Sequence, residues 1–535
     1  MQLTTLTDET RLAMANFADR AAGIVTPSIR LGVTGLARAG KTVFIAALVH
    51  NLMHGGRLPL FRAFTAGRIA GARLDPQPDD DVPRFDYEDH INDLVENRVW
   101  PDSTRQISQL RVTVEYESAS LLTRAIGGGQ LHVDIVDYPG EWLLDLPLMG
   151  RSYDVWSAEA IAAAETPVHR PHAMAWNERL ATADPDAPAD ETAARELAVL
   201  FTAYLDACRK DDQALSTQPP GRFLMPGDLA GSPALTFSPL PMKRQGAPQP
   251  GTLAAMMARR YESYKNVVVR PFFRDHFARL DRQIVLIDVL SALNSGPAAV
   301  TDLERALSEI LASFRVGRTN WLTGLVARRI DRILFAATKA DHLHHRDHDM
   351  LEAILDRLVT RARKRARFAG IGVDALALAS VRATREASVT KSGETLPTIV
   401  GTPLPGETVD GKRFDGETEF AVFPGDLPGN PESVFEEQSA TVDVRFAGFR
   451  PPRLQQTAEG LTLSLPHIRL DRAIEFLLGD RLSRPPGGQP PSISMKSVTS
   501  PTTSTRRLSP TRIVQGRRNP VAGAFLPSSC PLQQR

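Results

Sequence analysis

The sequence predicts an α/β fold organised on a mainly parallel, doubly wound sheet. Three observations carry this. Six short apolar runs, Ser28–Thr34, Leu110–Glu117, Leu131–Val136, Gln283–Val289, Ile333–Ala337 and Ala375–Ala379, are rich in Val, Ile, Leu and Ala. Most are near-continuous, as in strands covered on both faces. Helical patterns separate them and give a βαβ series. The first run also passes directly into a glycine-containing loop and then a helical stretch, Val43 to Leu52.

Taken in order, residues 1–28 hold an amphipathic stretch with Met14, Phe17, Ala18, Ala21 and Ile24 at helical spacing, which predicts a core-docking N-terminal helix. Residues 29–142 form the first part of the core. Within them, the alternation of Leu110, Val112, Val114 and Tyr116 with polar residues predicts an edge strand. Residues 143–275 are too long for an ordinary connection. Helical stretches at Ala158–Ala164 and Glu191–Cys208 mark them as a mainly helical insertion. The second part of the core spans 276–386. Turn dipeptides Asp410-Gly411, Asp415-Gly416 and Pro424-Gly425 then predict a small β excursion over 387–448. A C-terminal segment, 449–482, ends in a helix over Arg469–Leu478, with Gly479 suited to the position just past it. From 483 to 535 the chain reads as a disordered basic Ser/Pro-rich tail. Residues 484–535 hold eight Lys/Arg, nine prolines and no acidic residue.

Composition narrows the function. The 535 residues carry 63 basic and 62 acidic side chains, a net charge of +1. Such a balance is not that of a chain that coats nucleic acid, and no nucleic-acid partner is expected. Cys208 and Cys530 are too few for a disulfide framework or a four-thiolate zinc site. With no apolar run of 18 residues, no transmembrane segment is expected, although peripheral membrane contact stays open. These features point to the cytoplasm.

The chemistry lies at the strand ends. After the first run comes Gly35-Leu36-Ala37-Arg38-Ala39-Gly40-Lys41-Thr42, the pattern G-x-x-x-x-G-K-T. Glycines let the backbone wrap phosphates, and the N–H groups through Ala37, Arg38, Ala39 and Val43 face the negative charge at a helix N-terminus. Lys41 reaches the β/γ oxygens, and the Thr42 hydroxyl suits Mg²⁺. The third run ends in Asp137-Tyr138-Pro139-Gly140. Asp137 is a candidate to hold Mg²⁺, and the Gly140 N–H to sense a γ-phosphate. The fifth run enters Thr338-Lys339-Ala340-Asp341. A carboxylate at Asp341 accepts from guanine N1–H and the exocyclic amine, donors that adenine lacks there, which disfavours an ATPase reading. The Lys339 stem packs along the base. After the sixth run, Ser380 and Val381 suit a backbone contact to guanine O6. His342, His344, His345 and His348 follow with Asp347 and Asp349. His342 suits packing near the base. His344 and His348, four apart, would share a helix face, a spacing that invites a metal reading against the plainer one of a polar helix start.

This order of motifs resembles that of Ras-like GTPases. GLARAGKT, DYPGEWLLDLPL, TKADHLHH and LPHIRLDRAIEFLLGD resemble the YcjX-like family of bacterial P-loop proteins over roughly residues 10–482. The resemblance implies a Ras-like P-loop NTPase core, binding of GTP and GDP, Mg²⁺ as cofactor, a link to stress response and an unidentified protein effector. It also implies a switch I threonine that binds Mg²⁺ before the second core strand. Thr104 is the first choice and Ser103 the alternative. Arg105 would meet a phosphate or a carboxylate. Trp100 would lie on the base or ribose, or anchor the core. Glu141 takes the place of the water-orienting Gln, so the expectation is a slow GTPase acting as a switch. The alternative is a nucleotide-binding scaffold with negligible hydrolysis and a functional insertion.

Overall fold

Among the described residues, seven strands form the main sheet: β1 (Ser28–Gly35), β2 (Ile69–Asp75), β3 (Ser108–Tyr116), β4 (Gly129–Asp137), β5 (Arg282–Ile287), β6 (Arg332–Ala337) and β7 (Gly372–Ala377). Their order is β2-β3-β4-β1-β5-β6-β7. The computed structural model describes residues 27–35, 38–102, 106–117, 129–211, 218–243, 246–313, 330–391, 394–409, 412–436, 447–454 and 464–483. The expected N-terminal helix, Ala37, Ser103, Thr104, Arg105 and the tail from 484 lie outside them. Five strands, β4, β1, β5, β6 and β7, are parallel, and β3 runs antiparallel to both its neighbours. The fold is thus the α/β, mainly parallel arrangement of a Ras-like P-loop NTPase.

The β3 strand is not an edge. The outer position belongs to β2, which the sequence conceals: Ala70-Gly71-Ala72 supplies little bulk, and the register slips between Ile69 and Gly71. Pairing on both sides buries Thr113 as well as Leu110, Val112 and Val114.

Helix α1 (Lys41–Met53) packs Phe44, Ile45 and Leu48 against Ile29, Leu31 and Val33 of β1. Between β4 and β5 the chain forms α2 (Tyr153–Ala164), α3 (Arg170–Ala181), α4 (Glu191–Lys210) and α5 (Leu253–Tyr264). Aromatic rings fill their core: Trp156 stacks on Tyr261 at 5.0 Å and Trp176 on Tyr204 at 5.8 Å. Trp142, Leu143, Leu144, Leu146 and Leu148, which follow β4, belong to that same core. The face of the sheet opposite α1 is covered by α6 (Pro297–Ser313), α7 (His348–Leu358) and α8 (Thr360–Phe368). A smaller three-stranded sheet joins β8 (Arg385–Lys391), β9 (Glu394–Gly401) and β12 (Phe420–Val422), and β10 (Thr408–Val409) pairs with β11 (Lys412–Arg413). Among the described residues no helix is long and apolar enough to cross a membrane.

The last helix, α9 (Leu470–Ser483), continues through Gly479 instead of stopping there. Arg282 and Arg332 explain this from far away in sequence. They donate to the Leu477 and Phe476 carbonyls, and Arg282 meets Asp480 at 2.6 Å. Leu478 and Leu482 extend the buried stripe beyond the expected end. A Cβ at position 479 would meet only the movable end of the Glu475 side chain, at 2.6 Å, so the glycine sits within the helix without ending it. Because these contacts all precede residue 484, removing residues 484–535 is expected to leave the melting temperature within a few degrees, as measured by thermal denaturation.

Candidate functional site

The carboxyl ends of β1, β6 and β7 open on one cavity of about 330 Å³. This is where open α/β sheets bind ligands, and the volume lies in the range of small-molecule sites. After β1, the cavity wall is formed by Arg38, Ala39, Gly40, Lys41, Thr42 and Val43. Gly40 (φ 79°) and Arg38 (φ 60°) both take the left-handed conformation that turns the loop into α1. Gly35 has a steric reason: a Cβ there would lie 2.6 Å from the Leu286 carbonyl oxygen. The first turn of α1 holds no acidic residue, so the positive end of the helix dipole faces the cavity uncompensated. Lys41 is buried, and its Nζ donates to the Gly35 carbonyl at 3.2 Å. The Thr42 hydroxyl donates to the Asp102 carbonyl at 3.4 Å, which ties the loop before Ser103 to the phosphate-type loop.

The second wall comes from Thr338, Lys339, Asp341, His342, Ser380 and Val381. Lys339 sits at φ 60° and its Nζ meets Asp288 at 2.5 Å. Burial pushes the Asp288 carboxyl up, but Lys339 and Ser291 outweigh it and hold the group below its ordinary value. One Asp341 oxygen accepts from the Ala383 N–H at 2.8 Å, and its carbonyl accepts from the Thr384 hydroxyl. The first bond orients the carboxylate and the second holds the backbone of its turn. Burial lowers the His342 imidazole below its usual value against the pull of Asp341.

Trp100 bridges the cavity and the core beside it. It lines the cavity, and its indole N–H donates to the Phe449 carbonyl at 2.6 Å. Phe449, Gly448 and Leu404 form a third wall that the sequence did not reveal. Their meeting depends on an antiparallel bridge, Pro403 with Phe449, and on Leu404 N–H donating to Gly448 at 2.7 Å. No local pattern signals either. Pro101 and Asp102 also line the cavity.

Other candidates sit elsewhere. Asp137 is buried at the end of β4, beside Val33 of β1, and is not part of the cavity wall. Gly140 and Glu141 are also outside the wall. The Glu141 carboxylate is buried 3.7 Å from Arg209 of α4. Close packing of the helical segment explains this, since a Cβ on Gly221 would come within 1.9 Å of the Glu141 carbonyl oxygen. Arg222 lies 3.4 Å over the Trp142 ring. Asp145 accepts from Gly221 N–H at 2.8 Å and Tyr264 O–H at 2.6 Å, yet burial pushes its carboxyl up to about 7.

The histidines do not form one helix face. His344 precedes α7, which begins at His348. Instead His344, His345 and Glu386 gather with ligand atoms within 4.8 Å of one another. Glu386 is engaged by His345 at 2.7 Å and Arg382 at 3.3 Å. Asp349 pairs with Arg469 at 2.5 Å.

Comparison with known proteins adds to this geometry. Residues 29–482 match the family model described as YcjX-like family, DUF463. A Ras-like GTPase YcjX of Escherichia coli strain K12 is 38% identical over 466 residues, covering 85% of this chain and 96% of the relative. A Ras-like GTPase YcjX of Shewanella oneidensis is 34% identical over 474 residues, covering 85% of this chain and 94% of the relative. The chain therefore belongs to the YcjX-like family.

Proposed function

We propose that this protein binds GTP and GDP in the cavity at the strand ends, hydrolyses GTP slowly, and acts as a nucleotide-dependent switch. One observation carries the reading: Asp341, oriented by Ala383, lines the same cavity as Lys41 of the P-loop. Lys41 would neutralise the β/γ oxygens, the α1 N-terminus would hold the phosphates, and Asp341 would read guanine. Hydroxyl and carboxylate oxygens suit a hard divalent cation, and Thr42 and Asp137 supply both among the described residues. With Thr104 they would hold Mg²⁺, which supplies charge neutralisation at the phosphates. A role in stress response through a protein effector, in the cytoplasm, belongs to the same proposal. The test is to purify the full chain, identify retained nucleotide by chromatography, and compete GDP against ADP. Retention or preference for an adenine nucleotide would overturn it.

A second reading, a scaffold with negligible hydrolysis, gains support from the Glu141–Arg209 pair. It keeps the Glu141 carboxylate out of the cavity wall. Glu141→Gln separates the two readings. Removing the charge releases the side chain from Arg209 and restores a neutral water-orienting group. GDP affinity is expected to be unchanged, and phosphate release over many turnovers to rise about tenfold or more, because a neutral amide orients the attacking water without a negative charge beside the phosphates. An unchanged rate would place Glu141 outside the catalytic centre, and negligible phosphate release by both proteins favours the scaffold.

A further inference from the structure

Helix α8 has the sequence TRARKRARF. Its positions 361, 364, 365 and 368 follow the i, i+3, i+4, i+7 spacing of one helix face. Arg361, Lys364 and Arg365 on that face are exposed, as is the adjacent Arg367. The face ends in Phe368, which is 97% exposed. The opposite side, with Ala362, Ala366 and the following Ala369, is seated on the core.

Among the described residues none of Arg361, Lys364, Arg365 and Arg367 has an ion-pair partner. The acids on the adjoining helix and strand are already engaged. Asp356 pairs with Arg363, Glu352 with Arg469 at 2.6 Å, and Asp374 with Arg472 at 3.5 Å. Among the described residues no ion pair therefore compensates the charge of these four side chains.

Its position matters as much. Phe368 lies four residues before β7, at the amino end of the parallel strands, whereas the cavity lies at their carboxyl ends. A six-residue strand separates the two by roughly 20 Å. The C-terminus of α9 comes to this same end. Asp480 meets Arg282 and Arg332 at the starts of β5 and β6, and Arg481 lies 3.6 Å from Asp331, whose carbonyl accepts from Gly372 N–H. From there the sequence continues into 52 residues with eight basic and no acidic side chains.

We infer that the exposed face of α8 docks on an anionic lipid surface, with Phe368 entering below the headgroups. Clustered basic residues on a surface helix attract anionic lipid, and an apolar tip adds a short-range term. Single-stranded RNA fits less well. The face is a convex helix with one aromatic ring, without the basic groove and serial stacking platforms that track a strand. Docked this way, the cavity and the Trp100–Asp102 loop face away from the bilayer.

Flotation of the full chain with phosphatidylcholine vesicles, with and without phosphatidylglycerol, tests this. Binding is expected only with phosphatidylglycerol and should weaken as salt rises. The combined change Arg361→Gln, Lys364→Gln and Arg365→Gln should lower partitioning about 100-fold, and Phe368→Ser about tenfold. All four positions are exposed, so melting temperatures should match and attribute the loss to the surface. Undiminished partitioning of the triple variant overturns the assignment, as does equal binding to neutral vesicles. So does binding of a single-stranded oligoribonucleotide that depends on these residues while vesicles stay unbound.

Discussion

Asp341→Asn is expected to lower GDP affinity at least about 100-fold and to shift preference towards XDP. The Ala383 N–H needs an acceptor, so the asparagine carbonyl takes that place. Its amide nitrogen then stands where the other carboxylate oxygen was, and faces a guanine donor. Losing one hydrogen bond to a charged group costs about 1.5–3 kcal/mol and leaving the new buried donor unpaired costs about 1–3 more, which together reach the roughly 2.8 kcal/mol of a 100-fold change. Xanthine carries a carbonyl where guanine has its amine and therefore accepts from the new donor. Competition between GDP and XDP on wild type and variant measures the shift. An unmoved ratio would remove the base-reading role from Asp341.

Lys41→Ala should reduce affinity for GDP and GTP by about 10²–10⁴-fold while the fold persists. The ammonium group makes charge-assisted bonds to phosphate oxygens worth roughly 1.5–3 kcal/mol each. Its bond in the structure, to the Gly35 carbonyl, is within its own loop and holds no distant element in place. Calorimetric titration with GDP and Mg²⁺ gives the loss, and circular dichroism melting checks the fold. Unchanged affinity would sink the P-loop assignment.

What could be read from the sequence was what depends on nearby residues. Apolar runs such as Ile333–Ala337 mark a strand because both faces of it are covered. The loop from Gly35 to Thr42 is recognisable because phosphate binding needs its residues in series. Whatever depends on distant partners stayed hidden. Strand β2 is held by β3 more than by its own bulk, and α9 passes Gly479 because Arg282 and Arg332 reach its last turns. Phe449 enters the cavity wall through a bridge to Pro403, 46 residues earlier. The position of Glu141 was hidden for the same reason: Arg209 and Gly221 come from the segment packed over it.

Helix α9 has a consequence for how the protein is made. Leu470, Ala473, Ile474, Leu477, Leu478 and Leu482 share one apolar core with β1 and α1, the elements that flank the P-loop. Leu470 follows Gly35 by 435 positions in the chain. At translation speeds of about 5–20 residues per second, the phosphate-binding loop leaves the ribosome roughly 20–90 s before the helix that covers its supporting core. During that interval the underside of α1 and β1 has no cover from α9. A product terminated before Leu470 would keep every motif residue and still lack the surface on which they rest. The proposed nucleotide site therefore gains its full supporting core only near the end of synthesis.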